Sequence, residues 1–83
     1  MTVIVKKAFG EHLAKVRKKA GETQEGVSLN CDMSLRYYQY LEKGDNNPTM
    51  ITLFRLADTL KCEPQELVEA AWKVWKKEKK KNR

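Results

Sequence analysis

Residues 23–44, TQEGVSLNCDMSLRYYQYLEKG, contain the signals for two short helices separated by a corner. Thr23 is a good N-cap residue, so the first of these helices is predicted to begin there and to end near Asn30. Ser34 offers a second cap, and the next helix is predicted to run through about Glu42. The residues just before Ser34 form a non-helical corner. Two short helices joined in this way are typical of a helix-turn-helix, here over residues 23–42.

Three further helices are predicted around this region. Apolar residues recur at steps of three and four from Val5 to Ala20, which is the period of an amphipathic helix. Thr49 is predicted to cap a fourth helix, and Pro64 lies in the first turn of a fifth. No stretch beyond the first five residues alternates as a strand does. Residues 1–83 are therefore predicted to form one all-α, five-helix domain.

The excess positive charge is concentrated at the C-terminal end of the chain. Residues 73–83 contain seven of the 17 basic residues and one of the 11 acidic residues, so the rest of the chain is electrically balanced. Clustered basic charge attracts nucleic-acid phosphates. A lysine-rich terminus is also typical of a solvated helix end. The net charge of +6 is therefore weak support for a nucleic-acid partner, and contact between this basic tail and DNA stays open.

The composition argues against several classes of function. A chain of 83 residues has room for one modest core. It shows neither a membrane-length apolar run nor a secretory leader, so a cytoplasmic protein without a membrane partner is expected. Cys31 and Cys62 lack the close pairing of zinc or redox motifs, so we expect reduced packing residues and no metal or cofactor. His12 is the only histidine, and without a catalytic constellation neither an enzyme nor a small-molecule substrate is expected.

The order of residues resembles that of the Xre family of regulators, which is related to phage lambda repressor and Cro. The resemblance rests on Thr-Gln-Glu at 23–25, Leu-Glu-Lys-Gly at 41–44 and Asn-Pro-Thr at 47–49, and it extends from about Phe9 to Val68. In this family the second helix of the helix-turn-helix enters the major groove of DNA. The resemblance therefore implies a lambda-repressor-like fold and a sequence-specific transcriptional regulator whose partner is double-stranded DNA.

In the family register, the third helix supplies the residues that read bases. Tyr38 is expected to face inward, where the family usually has Val or Ile. Arg36 can contact guanine with two hydrogen bonds, Gln39 can do the same with adenine, and Leu35 can touch a thymine methyl group. The alternative is an ordinary solvated polar face. Phosphate contacts are predicted for Gln24, Tyr37, Tyr40, Lys43 and Asn46.

Arg17 and Glu42 match family positions that commonly form an ion pair. The pair would tie the first helix to the end of the third. Its role would be structural, because removing one partner of a buried pair strands the other charge.

Two tryptophans on the last helix exceed what so small a core requires. Trp72 and Trp75, together with Leu67 and Val68, are predicted to form a homodimer interface, because Trp is enriched at interface centres. The alternative is packing of the tryptophans onto the first helix. A dimer would place two recognition helices roughly 34 to 36 Å apart and would require a near-palindromic operator.

Two questions about function stay open. Within the regulator class, the compact five-helix plan slightly favours a controller protein of a restriction-modification system over a phage repressor. The other class is a protein-binding module, such as the antitoxin of a toxin-antitoxin pair, that has kept the fold without reading DNA. Such a module has no need of Arg36 and Gln39 side by side. The operator and the sign of regulation are not encoded in any recognisable motif.

Overall fold

The helix-turn-helix lies in the middle of a series of five helices. The computed structural model describes residues 1–81, and these contain no strand. The prediction of an all-α, five-helix fold is confirmed. Asn82 and Arg83, the last two residues of the predicted basic tail, lie outside the described residues. The helices are α1 (Thr2–Lys19), α2 (Gln24–Asn30), α3 (Leu35–Lys43), α4 (Met50–Leu60) and α5 (Pro64–Lys81).

Hydroxyl side chains cap the N-termini of the three central helices. Thr23 caps α2, Ser34 caps α3 and Thr49 caps α4. Each hydroxyl oxygen accepts a hydrogen bond of 2.9–3.1 Å from a backbone N–H three residues further along. The first turn of a helix leaves such N–H groups without a partner, so these bonds define where each helix begins. All three caps were predicted from the sequence and are confirmed.

The corner between α2 and α3 contains a residue in the left-handed backbone conformation and a buried thiol. Asp32 adopts a left-handed conformation with φ 55°, which Asp tolerates better than most residues with a side chain. Next to it, Cys31 is 1% exposed, and its Sγ lies within hydrogen-bond distance of the backbone carbonyl of Arg55 (3.4 Å) and of the hydroxyl of Thr59 (3.2 Å). The corner is thereby fastened to α4.

The first helix is longer than the sequence pattern predicts. It begins at Thr2 rather than near Val5, so the apolar run at the N-terminus is helical and not a strand. α1 packs along α5, and Val5 in the first turns of α1 borders a groove together with Val68 and Ala71.

All five helices contribute side chains to the core. Its fully buried large side chains include the following set: Leu13, Val27, Tyr38, Leu41, Leu56 and Leu67. The end of α3 rests on α1, where a Cβ on Gly44 would lie 2.7 Å from Cα of Lys7. Gly44 also has a positive φ of 81°, which ends α3 at this contact.

Among residues 1–81, no helix combines the length and the hydropathy needed to cross a bilayer.

Candidate nucleic-acid interface

A nearly buried ion pair lies behind the outer face of α3. Arg17 on α1 donates from Nε to Glu42 Oε2 at 2.6 Å and from Nη2 to Glu42 Oε1 at 3.2 Å. The two side chains are 11% and 8% exposed. A third guanidinium hydrogen bond, 3.0 Å long, reaches the backbone carbonyl of Glu22. The pair therefore joins α1, the turn before α2 and the end of α3, as the family resemblance implied.

Hydrogen bonds keep this carboxylate charged despite its burial. Burial raises the pKa of Glu42, but hydrogen bonds from Arg17, Tyr38 and Gln24 outweigh that effect, and the pKa lies below its ordinary value of 4.5. The pKa of Arg17 is raised, mainly by its hydrogen bonds to Glu42. The pKa of Tyr38 is also raised, mainly by burial and next by its hydrogen bond to the Glu42 carboxylate. At neutral pH Glu42 is thus an anion that accepts hydrogen bonds from three side chains.

Gln24 links this ion pair to the predicted reading residues. Its Nε2 donates to Glu42 Oε1 at 2.8 Å, and its Oε1 accepts from Gln39 Nε2 at 3.3 Å. A phosphate contact is predicted for Gln24 from the sequence. In the structure its side-chain amide is engaged within the protein by Glu42 and by Gln39.

The three predicted base-reading residues lie together on the outer side of α3. Arg36 is exposed, whereas Leu35 and Gln39 are half-buried. Arg36 donates from Nε to the hydroxyl of Tyr40 at 3.0 Å, and its guanidinium carbon lies 5.9 Å from the centre of that ring. This contact holds the arginine along the helix, so Arg36 is partly ordered before any ligand is bound.

The remaining predicted phosphate contacts differ in accessibility. Lys43 is exposed at the last position of α3, and Asn46 is half-buried in the loop that follows. Tyr37 is half-buried and packs against the core. Tyr40 is engaged with Arg36. Lys43 is therefore the most accessible of these four side chains, and Tyr37 contributes to packing as well.

The predicted dimer residues do not share one surface. Leu67 is fully buried in the core of its own chain, so its assignment to the dimer interface was wrong. Trp72 and Trp75 are 56% and 41% exposed, and they border an apolar groove with Val68 and Val5. The helix period explains the difference, because Leu67 faces the bundle while the tryptophans lie near its edge.

Other features were not identified from the sequence. Tyr38 was expected inside as a packing residue, but its hydroxyl also donates a hydrogen bond to Glu42. His12 donates from Nε2 to the backbone carbonyl of Glu66 at 2.8 Å and so ties α1 to α5. For the hydrogen bond of Tyr38, the signal in the sequence was the hydroxyl group that Tyr adds at a position where the family usually has an apolar residue.

The start of α4 exposes several large apolar side chains. Met50 is 68%, Ile51 is 58% and Phe54 is 47% exposed. Apolar residues cover a wider arc of α4 than the single side that this helix buries. A second apolar surface therefore exists besides the groove beside the tryptophans.

Comparison with known proteins agrees with this geometry. A family model described as helix-turn-helix matches residues 13–67. The chain belongs to this helix-turn-helix family. The resemblance to Xre-type regulators is thereby confirmed. The matched part of this helix-turn-helix protein runs from the middle of α1 to the start of α5, so the N-terminal part of α1 and most of α5 lie outside it.

Several relatives are named as regulators. An HTH-type transcriptional regulator, y4dJ of Sinorhizobium fredii, is 41% identical over 64 residues, which cover 77% of this chain and 83% of the relative. The control protein C.BamHI of Bacillus amyloliquefaciens is 24% identical over 70 residues, covering 83% and 86%. The phage CTXphi transcriptional repressor RstR of Vibrio cholerae is 37% identical over 57 residues, covering 69% of this chain and 51% of the repressor.

A solved structure shows the same arrangement of helices. The restriction-modification controller protein C.AhdI from Aeromonas hydrophila matches with a TM-score of 0.71 at 30% sequence identity. The match covers 74% of this chain and 92% of the controller protein. This helix-turn-helix protein therefore resembles controller proteins along nearly their whole length.

Proposed function

We propose that this helix-turn-helix protein is a sequence-specific DNA-binding transcriptional regulator that acts as a homodimer on a near-palindromic operator. The observation that carries the proposal is the outer side of α3, where exposed Arg36 lies one turn from Gln39 and next to Leu35. These residue types match the hydrogen-bonding and methyl groups of the major groove. The protein acts by binding alone, without a catalytic step, a metal or a cofactor.

Base reading in this proposal combines three contacts on α3. Arg36 exchanges its hydrogen bond with Tyr40 for two bonds to a guanine, Gln39 pairs with an adenine, and Leu35 touches a thymine methyl group. Phosphate contacts fix the position of the protein on the duplex. The proposed phosphate contacts are the backbone at Gln24 and the side chains of Tyr37, Tyr40, Lys43 and Asn46.

The dimer interface in this proposal is the exposed edge of α5. Trp72 and Trp75 present large apolar surfaces beside Val68, and such aromatic side chains dominate interface energies. Pairing two copies through this edge would place both α3 helices on one face of the DNA, roughly 34 to 36 Å apart. We propose Trp72, Trp75 and Val68 as its centre.

The regulated genes are proposed to be those of a restriction-modification system. The chain corresponds to most of the length of two control proteins but to about half of the phage repressor. A regulator of this size responds to its own concentration through dimerisation, because binding by two copies depends on the monomer concentration.

A protein-binding module such as an antitoxin is the second candidate. The exposed apolar side chains at the start of α4, together with Leu29 on α2, favour it. Large exposed apolar patches mark sites of protein interaction.

Selection from a pool of random duplexes, followed by sequencing, tests the proposal. We expect an inverted repeat to be enriched by the protein and not by the double variant Arg36→Ala, Gln39→Ala. The matched control is Lys15→Ala, Gln65→Ala, which removes one basic and one amide side chain from exposed positions of α1 and α5 and should leave the repeat unchanged. Binding that is weak, salt-sensitive and without a motif would contradict the proposal and favour the protein-binding module.

A further inference from the structure

A chain of hydrogen bonds connects the buried carboxylate to the reading face. Glu42 accepts from Gln24, and Gln24 accepts from Gln39, over distances of 2.8 and 3.3 Å. We call Glu42, Gln24 and Gln39 the polar relay. It begins at a side chain that is 8% exposed and ends at a residue proposed to read a base. The relay therefore offers a route by which the interior acts on DNA recognition.

The charge of Glu42 determines which way both amides point. A carboxylate can only accept hydrogen bonds, so Gln24 must present its NH₂ group to Glu42 and its oxygen away from it. Gln39 next to that oxygen must then present its own NH₂ group. The orientation of both amides thus follows from the ionised state of one side chain.

The carboxylate itself has little freedom to rotate. Arg17 holds both of its oxygens, and the hydroxyl of Tyr38 donates to Oε2 from a fully buried ring. The two ends of the relay are therefore restrained to different degrees. Glu42 accepts hydrogen bonds from three side chains in the interior, whereas the side chain of Gln39 makes one hydrogen bond, to Gln24.

The orientation matters because adenine and guanine present different groups in the major groove. Adenine presents an acceptor, N7, and a donor, the N6 amino group, whereas guanine presents two acceptors, N7 and O6. With one N–H engaged by Gln24, Gln39 retains its oxygen and one N–H. These two groups complement N6 and N7 of adenine. With guanine, the amide oxygen of Gln39 would face another acceptor, which is unfavourable.

We propose that Glu42 and Gln24 are positioning residues that set the preference of Gln39 for adenine over guanine. This inference rests on the proposed function. It adds that the specificity at one base pair depends on two residues whose side chains do not themselves contact the base. The relay selects the base by holding the amide of Gln39 in one of its two orientations.

The test measures base preference rather than overall affinity. Binding of the protein is compared on operators that carry each of the four base pairs at every position, and the variant Gln39→Ala identifies the position that Gln39 reads. We expect the unchanged protein to prefer adenine to guanine there by about tenfold or more. In Gln24→Met, which has a similar shape without an amide, this ratio should fall to about threefold or less, while preferences elsewhere persist.

Two controls separate orientation from stability. Tyr38→Phe removes a hydrogen bond to Glu42 but leaves the relay intact, so it should lower stability and keep the adenine preference. Gln65→Met makes the same exchange at an exposed position of α5 and should change neither property. Circular dichroism checks that each variant is folded.

The outcomes distinguish failure of the relay from failure of the proposed function. An adenine preference that survives in Gln24→Met, or a Gln39→Ala variant that alters no position of the operator, would overturn the relay while leaving sequence-specific binding in place. Absence of any preferred operator for the unchanged protein would instead contradict the proposed function.

Discussion

Gly10 shows how one absent side chain sets the distance between two helices. A Cβ at this position would lie 2.5 Å from the carbonyl oxygen of Leu41 and also inside contact distance of the carbonyl oxygen of Glu42. Both atoms belong to the backbone of α3, so they cannot move aside as a flexible side chain could. The close approach of α1 and α3 therefore depends on glycine, and with it the contact that brings Arg17 to Glu42.

Gly10→Ala tests this dependence, because two effects of opposite sign compete. Helix propensity alone would stabilise α1 by about 1 kcal/mol. Overpacking against backbone atoms typically costs about 1 to 3 kcal/mol, and here the helices must separate. We expect a net loss in the free energy of unfolding, measured by urea denaturation. Increased stability would show that α3 is not held against α1 as closely as the structure shows.

The ion pair between Arg17 and Glu42 predicts a particular dependence of stability on pH. Glu42 has a lowered pKa in the folded protein, so its contribution is present above its ordinary value of 4.5 and is lost as the pH falls through the lower, folded value. In Arg17→Met the carboxylate stays buried without its counter-charge. We expect that variant to lose about 3 to 5 kcal/mol at pH 7.

The slope with pH distinguishes this explanation from a general loss of packing. Burial without Arg17 favours the protonated form of Glu42, so the deficit of Arg17→Met should shrink as the pH is lowered from 7 towards 4. The control is Glu69→Gln, which breaks an exposed pair with Lys73 and should leave stability unchanged. A deficit of Arg17→Met that stays constant with pH would contradict the charge argument.

At the scale of elements, the two helices of the helix-turn-helix, α2 and α3, depend on their caps. The helix α2 has seven residues and α3 has nine, lengths at which an isolated helix is barely stable in water. Local hydrogen bonds at their first turns and tertiary packing must both contribute. The cap of α3 has the larger functional consequence, because the first turn of α3 contains Leu35 and Arg36.

Ser34→Ala removes the cap of α3. We expect it to reduce the free energy of unfolding by about 1 kcal/mol, since the backbone N–H of Tyr37 loses its partner. DNA affinity should fall as well, because the turn that carries Arg36 frays. The matched control is Thr2→Ala, an exposed hydroxyl at a helix start whose cap uses no side chain. Equal stability of Ser34→Ala and the unchanged protein would contradict the role of the cap.

At the scale of the whole molecule, the two segments outside the family match pack on each other. The N-terminal part of α1 and the C-terminal part of α5 run side by side, and Val5 meets Val68 and Ala71 between them. The tryptophans lie at the open edge of this pairing. In the proposed dimer this open edge supplies the interface.

Trp72→Ala, Trp75→Ala tests that interface. Buried interface tryptophans typically contribute about 2 kcal/mol or more each. We therefore expect the dimer dissociation constant, measured by sedimentation equilibrium, to rise by a factor of about 100 or more. Affinity for an inverted repeat should fall further than affinity for a single half-site.

The second exposed apolar surface provides the matched control. Met50→Ala, Ile51→Ala removes a comparable exposed area from α4 and should leave dimerisation unchanged. If these substitutions dissociate the dimer and the tryptophan substitutions do not, the interface lies at α4 and the proposal for α5 is wrong.

The sequence by itself determined the elements of this protein. The caps at Thr23, Ser34 and Thr49 depend on neighbours within a few residues, so local chemistry suffices to predict them. The resemblance to a known family supplied the pairing of Arg17 with Glu42 and the residues that we propose for the reading face.

Only the tertiary structure decided how these side chains use their groups. The amide of Gln24 turns inward because a charged carboxylate from α3 lies within its reach. Leu67 is buried while Trp72 is exposed, and three apolar side chains of α4 face outward. A periodic pattern shows which side of a helix is apolar, but the partner that covers that side comes from elsewhere in the chain. Burial and hydrogen-bond direction are properties of such distant contacts, which is why they appeared only when the helices were packed together.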